Sequence, residues 1–337
     1  MSPNFTSSLL QAESKDSIEN KKMIESVENE RKMRKLKWYE FETKIIWPNV
    51  IMFSIFEALV VYWIFAFPYW EKLNSFIFAM FLGILVGVGV GAGVHRLWTH
   101  RAYKAKTPLR IILAILFYMS GQNSIFQWVR DHRVHHKYSE TPADPHDSTR
   151  GLFFSHVGWF MLKRRPEVIE RGKGIDMSDI LNDPVVQFFD GHHIIFKLLL
   201  AFILPILAAV YIFGHSWKWA IITQIFLRYG WTLNFTWSVN SLAHMYGYRP
   251  YDKKIGPVEN ILVSYLTGGE GWHNYHHAFP WDYKAAELKS VFFNNSTNVI
   301  DMFAKIGWAY DLKQVTPEQI KKFAEKNGDK TSAIKLL

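Results

Sequence analysis

Cysteine is absent from all 337 residues. No disulfide framework, catalytic thiol or thiolate metal site is open to this chain, which excludes cysteine-ligated zinc domains and thiol redox enzymes. Residues 1–30 are polar and hold no apolar signal-peptide core, so no cleavable signal is expected there. Charge is scarce along four further stretches, and that scarcity is the most informative. Residues 45–67, 74–94, 194–214 and 217–239 are apolar runs near the length of about 20 residues that crosses a ~30 Å hydrocarbon core. With 49% hydrophobic and 16% aromatic content, the chain reads as an all-α integral membrane protein with four transmembrane helices.

The formal charge of +9 raises a nucleic-acid reading, but the basic residues are scattered or sit beside spans. "ERKMRKLK" (30–37) precedes the first span and "KRR" (163–165) lies in the long central loop, a pattern that anchors the cytosolic side of a bilayer. No nucleic-acid partner is expected. Short turns at 68–74 and 214–218 join antiparallel spans on the opposite side. The N-terminal tail (1–40), the loop 95–193 and everything after about residue 240 then share the cytosolic side, both termini included. A membrane domain over 41–315 and a charged, helical C-terminal tail over 316–337 complete the organisation. The segment 109–128 is apolar enough to imitate a span, but Ser120, Gly121, Gln122, Asn123 and Ser124 interrupt it. A crossing there would also put "HRLWTH" and "HRVHH" in different compartments. It is read as an interfacial or re-entrant helix.

Histidine is concentrated in three short boxes: His95 and His100 in "HRLWTH", His132, His135 and His136 in "HRVHH", and His273, His276 and His277 in "HNYHH". In each HxxHH box the i, i+3 and i+4 rings share one helix face. The i, i+5 spacing of "HRLWTH" would set its rings about 140° apart on a regular α-helix, so the second span is expected to fray or bend there. A single surface histidine is unremarkable; eight in three clusters at one side of a membrane point to metal. Their number exceeds the needs of one ion, so two metals are implied. Imidazole suits iron, copper, nickel and zinc alike, and redox iron is favoured because it can use O2. "EGWH" (270–273) mimics the Glu-x-x-His motif of soluble carboxylate di-iron bundles, but the second motif and the further glutamates are missing.

The segments "GAGVHRLWTHRAYKAK", "WVRDHRVHHKYSETPADPH", "FSHVGWFM", "NSLAHMYGYRPYD" and "GEGWHNYHHAFPWDY" resemble the membrane acyl-CoA desaturases of the stearoyl-CoA desaturase family, from about residue 40 to 312. "FPWDYKAAEL" adds a likeness to the insect branch. The resemblance implies a cytosolic helical cap holding a di-iron centre at the endoplasmic reticulum membrane, with O2 as co-substrate and a saturated fatty acyl-CoA as substrate. It implies electrons from cytochrome b5 and its NADH-dependent reductase; no His-Pro-Gly-Gly haem signature occurs in this chain, so the cytochrome would be separate. It adds His244 as a ninth ligand and Asn240 as a contact through water. For the CoA headgroup it implies Asn123, Arg130, Asp131, Lys163 and Arg164, and for the bend of the acyl channel Trp128 and Thr236.

Gly83, Gly87 and Gly91 recur at every fourth residue on the second span. Such stripes usually serve close helix packing. The alternative is that Gly83 and Gly87 keep the deep end of an acyl channel open, which bears on chain length. A double bond near carbon 9 or 11 is expected, with a conjugated-diene-forming or bifunctional enzyme, or a histidine-box hydroxylase, as alternatives. A metal transporter would instead need ligands along the spans. Asp147 stands where the family usually has Asn, and Arg228 in mid-span needs a partner, for which Glu57 is the expectation.

Overall fold

The structure, a computed structural model, describes residues 41–287 and 294–331. The tail 1–40, with its basic cluster at 30–37, and residues 332–337 lie outside them. Apart from residues 41–44, all that follows concerns the compact unit Ile45–Leu337.

Helix α1 (Trp47–Ala66) starts with proline in its first turn, where the missing N–H costs no hydrogen bond. Its 20 residues span about 30 Å. Ile51, Met52, Ile55 and Phe65 stand exposed along it, as suits a surface that meets lipid rather than water. Helix α2 (Leu73–Thr99) is α-helical to Val88 and π-helical over Gly89–Thr99. Strand β1 (Lys104–Ala105) and helix α3 (Thr107–Tyr118) follow. At 12 residues α3 is about 18 Å long, too short to cross a bilayer. The expected interruption is a real break: Gly121 takes a left-handed φ of 67°, and the Ser124 side chain accepts from Gln127 N to cap α4 (Ile125–Tyr138).

The central loop continues through α5 (Leu152–His156), α6 (Pro166–Lys173) and α7 (Pro184–Gly191) into α8 (His193–Tyr211). Helix α9 then runs unbroken over 217–245. Helices α10 (Ile261–Thr267), α11 (His273–Ala278) and α12 (Asn295–Lys305), strand β2 (Ala309–Tyr310) and helix α13 (Pro317–Asn327) complete the chain. The two strands pair antiparallel. Helix α13 starts with a Thr316–Gln319 capping box, and its Ile320 and Phe323 pack on Tyr251, Tyr275 and Phe279 beneath α11.

Among the described residues three helices, α1, α2 and α8, are long and apolar enough to cross a membrane. Four were expected. The fourth segment is helical, but Thr223, Gln224 and Arg228 dilute its apolar character. All three are fully buried, facing protein instead of lipid. Arg228 does not pair with Glu57. Its Nε donates to Gln224 Oε1 at 2.9 Å, Nη1 to Met119 O at 3.1 Å, and Nη2 to Ala201 O. Main-chain carbonyls at the end of α3 and in the π-helical part of α8 therefore satisfy the guanidinium. Glu57 instead accepts from Asn234 Nδ2 at 3.1 and 3.3 Å.

Candidate metal centre and substrate cavity

The π-helical end of α2 resolves the awkward spacing of "HRLWTH". His100 N donates to His95 O at 3.1 Å, an i→i+5 bond, so residues five apart stack on one face. The His95 and His100 rings lie 4.9 Å apart instead of on opposite sides. Gly89 permits this run to press on α3, since a Cβ there would strike the backbone of Leu116 and Phe117. Helix α4 supplies the second box, α11 the third, and the end of α9 supplies His244.

All nine histidines converge, in two groups. His95, His100, His132, His136 and His276 form one; His135, His244, His273 and His277 form the other. Each HxxHH box is divided between them. In "HRVHH" the i, i+4 pair His132 and His136 joins the first group while His135 joins the second. In "HNYHH" the pair His273 and His277 joins the second and His276 the first.

These groups fit metal ions by three observations. First, Nε2 of His100, His132 and His135 is buried with no hydrogen-bond partner, an expensive state for a polar atom unless a cation takes its lone pair. Second, Nε2 atoms face each other at 2.8 Å (His95–His276), 3.0 Å (His136–His276 and His244–His273) and 3.1 Å (His273–His277). Ligands at right angles on an ion with bonds of about 2.0–2.1 Å stand about 2.9 Å apart. Third, carboxylates hold the opposite ring nitrogens: Glu270 Oε2 on His95 Nδ1 at 3.2 Å, Asp144 Oδ1 on His135 Nδ1 at 2.9 Å, and Glu140 Oε1 on His244 Nδ1 at 2.7 Å. Such partners keep the proton on Nδ1 and leave Nε2 free to ligate.

The electrostatics agree. Burial holds His132, His136, His273, His276 and His277 well below the ordinary imidazole range, and the neighbouring imidazoles push the same way. These five rings are held neutral, as ligands must be, whereas at His135 burial pushes down but the Asp144 carboxylate outweighs it and pushes the imidazole up. Burial pushes the Glu270 carboxyl up, but Arg96, donating at 2.7 Å, and His95 outweigh it and hold it below the carboxylate range. Asp144 is likewise pushed up by burial and brought down by His135, ending at about 2.

Beside the metal centre a cavity of about 710 Å³ runs past His95, His132 and His273 to Met80, Gly83, Ile84 and Gly87. That volume is within the range of sites that enclose a drug-sized ligand.

Residues 71–286 match the fatty acid desaturase family. The chain is 49% identical over 289 residues to an acyl-CoA Delta-9 desaturase of Acheta domesticus, covering 86% of this chain and 80% of that one. It is 49% identical over 291 residues to an acyl-CoA Delta(11) desaturase of Spodoptera littoralis (86% and 85%) and 48% identical over 286 residues to stearoyl-CoA desaturase 5 of Bos taurus (85% and 84%). The chain belongs to the fatty acid desaturase family. It is an acyl-CoA desaturase, an oxidoreductase of lipid metabolism and a membrane protein.

Within this desaturase the cavity wall includes Asn123, Trp128, Asp131, Thr236 and Asn240 together with Gly83 and Gly87. Trp128 Nε1 donates to Gln122 Oε1 at 2.8 Å and Thr236 Oγ1 to Thr232 O at 2.8 Å, so neither has a hydrogen to offer a ligand. Arg130, Lys163 and Arg164 stand outside the wall. Arg164 grips both oxygens of Asp131 at 2.7 and 2.5 Å, Arg130 donates to Asp131 Oδ1 at 2.9 and 3.1 Å, and Lys163 is exposed. The two glycine readings separate by position. A Cβ at Gly87 would meet nothing, and one at Gly83 would only touch Thr232 at 3.7 Å; at Gly91 it would collide with Ser296 and Glu270.

Sequence reasoning missed Glu140 and Asp144, and it met Glu270 only as a ligand motif to set aside. The available signal was a carboxylate close to each box, since metal-bound imidazoles regularly carry such a partner. Asp147 is also explained. Its Oδ1 accepts from Thr149 N and Oγ1, and its Oδ2 pairs with buried Arg165 at 3.1 Å, a charge an asparagine would lack.

Proposed function

We propose that this enzyme holds two iron ions and inserts a double bond near carbon 9 or 11 of a saturated fatty acyl-CoA. The observation that carries the reading is the opening of both histidine groups, through His95, His132 and His273, onto one elongated cavity. His95, His100, His132, His136 and His276 would hold one ion. His135, His244, His273 and His277 would hold the other, with Asn240 contacting it through water. Iron, when bound, supplies the O2-dependent redox chemistry that removes two hydrogens from an unactivated methylene pair, work beyond side-chain acid–base groups.

The chain's own residues position the substrate and exclude water. Arg130, Lys163 and Arg164 offer cations for the CoA phosphates, with Asp131 orienting the two arginines and Asn123 beside them. Trp128 and Thr236 shape the wall where the acyl chain passes the centre. Gly83 and Gly87 leave the deep end open, so insertion depth sets which carbons face the metals. Two electrons from outside complete the reduction of O2 to water, and cytochrome b5 with its NADH-dependent reductase is the proposed source. The site and both termini are placed on the cytosolic side of the endoplasmic reticulum membrane, with 217–245 as a fourth span.

Expression in a desaturase-deficient yeast, with double bonds located by mass spectrometry, tests this. Monounsaturated product at carbon 9 or 11 is expected. No unsaturated product in the presence of cytochrome b5 would refute the reading.

A further inference from the structure

His146 takes no part in either metal group, yet it lines the cavity and is only 8% exposed. Its Nδ1 is sealed from solvent with no hydrogen-bond partner. A buried acceptor tolerates that state better than a buried N–H, so the ring proton belongs on Nε2. Nε2 is neither sealed nor bonded, and the cavity is the space that His146 lines. The ring is pinned. It packs edge-on against Trp159 at 4.2 Å, and its own backbone N donates to Asp144 Oδ1 at 2.9 Å. His146 therefore presents a fixed N–H donor inside a largely apolar space.

His135, Asp144 and His146 lie close enough to imitate a third metal site. Asp144 is already committed: Oδ1 accepts from His135 Nδ1 and His146 N, and Oδ2 from Glu140 N at 3.0 Å. Ligation through His146 Nε2 would also force a proton onto the sealed Nδ1. A neutral acceptor suits the site better than a cation.

The surroundings indicate which acceptor. The His146 ring lies 5.7 Å from that of His135 in the metal centre, and His146 shares the cavity wall with Asp131, the carboxylate that Arg130 and Arg164 hold. It thus belongs to the stretch of wall that includes both the metal centre and the charged cluster proposed for the CoA headgroup. In an acyl-CoA the polar atom between headgroup and chain is the thioester carbonyl oxygen, an acceptor with no hydrogen of its own. We propose that His146 Nε2–H donates a hydrogen bond to that carbonyl and so fixes the register of the acyl chain against the metals. His146 is a substrate-positioning residue in this assignment, which rests on the acyl-CoA reading above.

The test compares binding of stearoyl-CoA with S-octadecyl-CoA, the thioether in which a methylene replaces the carbonyl, to the detergent-solubilised full-length holoenzyme. The wild type is expected to favour the thioester about five- to tenfold, the worth of one neutral hydrogen bond. His146→Leu is expected to bind both alike with iron content unchanged, and to spread its double bonds over neighbouring positions. Undiminished thioester preference in His146→Leu overturns the assignment alone. No saturable binding of either ligand by the wild type overturns the acyl-CoA reading, and the assignment with it. Isotope-edited infrared spectra of the 1-13C thioester supply a second measurement, on His146→Gln. The carbonyl stretch should sit lower in the wild-type complex than in free ligand and shift in the variant; an identical band in both proteins also overturns the assignment.

Discussion

Nε2 of His95 lies 2.8 Å from Nε2 of His276, although the two rings come from helices 181 residues apart in sequence. Glu270 holds the His95 proton on Nδ1, so the His95 Nε2 lone pair faces His276. Their separation matches two ligands at right angles on one cation. The expectation is two metal equivalents per chain. His276→Ala or His132→Ala should lower bound iron towards about one equivalent by removing a ligand of the first group, and His244→Ala should do the same through the second. Plasma emission analysis of purified protein reads the difference.

Glu270 reaches the metal centre through His95, and Arg96 holds its other oxygen, so its removal should weaken metal binding without deleting a ligand. Loss of such an outer partner commonly costs about 10–100-fold in metal affinity. Glu270→Ala is expected to lose iron to a competing chelator that the wild type resists, and Glu270→Gln to lie between them.

Gly83 and Gly87 line the cavity with room for a Cβ at each, and the proposed function takes them as its deep end. Gly83→Tyr should shorten it and move the product profile towards shorter acyl chains; Gly87→Ala should change little. Gly91→Ala is expected to destabilise the protein, because its Cβ would collide with Ser296 and Glu270. Product analysis by mass spectrometry separates the first pair, and thermal unfolding reads the third.

Glu259 gives a pH-dependent expectation. Burial pushes its carboxyl from 4.5 up to about 8, although Tyr275 N donates to Oε1. The folded state therefore binds a proton that the unfolded state releases, and this contribution to stability is lost as pH rises from about 4.5 to about 8. Glu259→Gln stays neutral throughout. Its melting temperature relative to the wild type should rise over that window by at least about 2–4 °C, and a flat difference would contradict the assignment.

Much of this protein was legible in the sequence because its signals are local. Apolar runs read directly as α1, α2 and α8, since a bilayer demands their length. The break at residues 120–124 announced that α3 would not cross. The fourth expected span was harder. Arg228 is satisfied by Gln224 Oε1 and by the Met119 and Ala201 carbonyls, and no local pattern reveals the last two. Glu57 looked like the counter-charge because it is the acid in a neighbouring span, yet it serves Asn234.

Most of the histidine set was legible in the sequence: eight imidazoles at box spacing with no cysteine to compete, and His244 added only through the family resemblance. Tertiary structure decided how they divide. On a helix of 3.6 residues per turn the i+4 ring lies about 40° to one side of ring i and the i+3 ring about 60° to the other. A box can therefore send its i, i+4 pair to one ion and its i+3 ring to the next. Which ion receives which ring depends on how α2, α4, α9 and α11 meet. The π-helical turn that brings His95 and His100 together, and the carboxylates of Glu140, Asp144 and Glu270 behind the rings, likewise depend on contacts between distant segments. Spacing along one chain cannot encode those contacts.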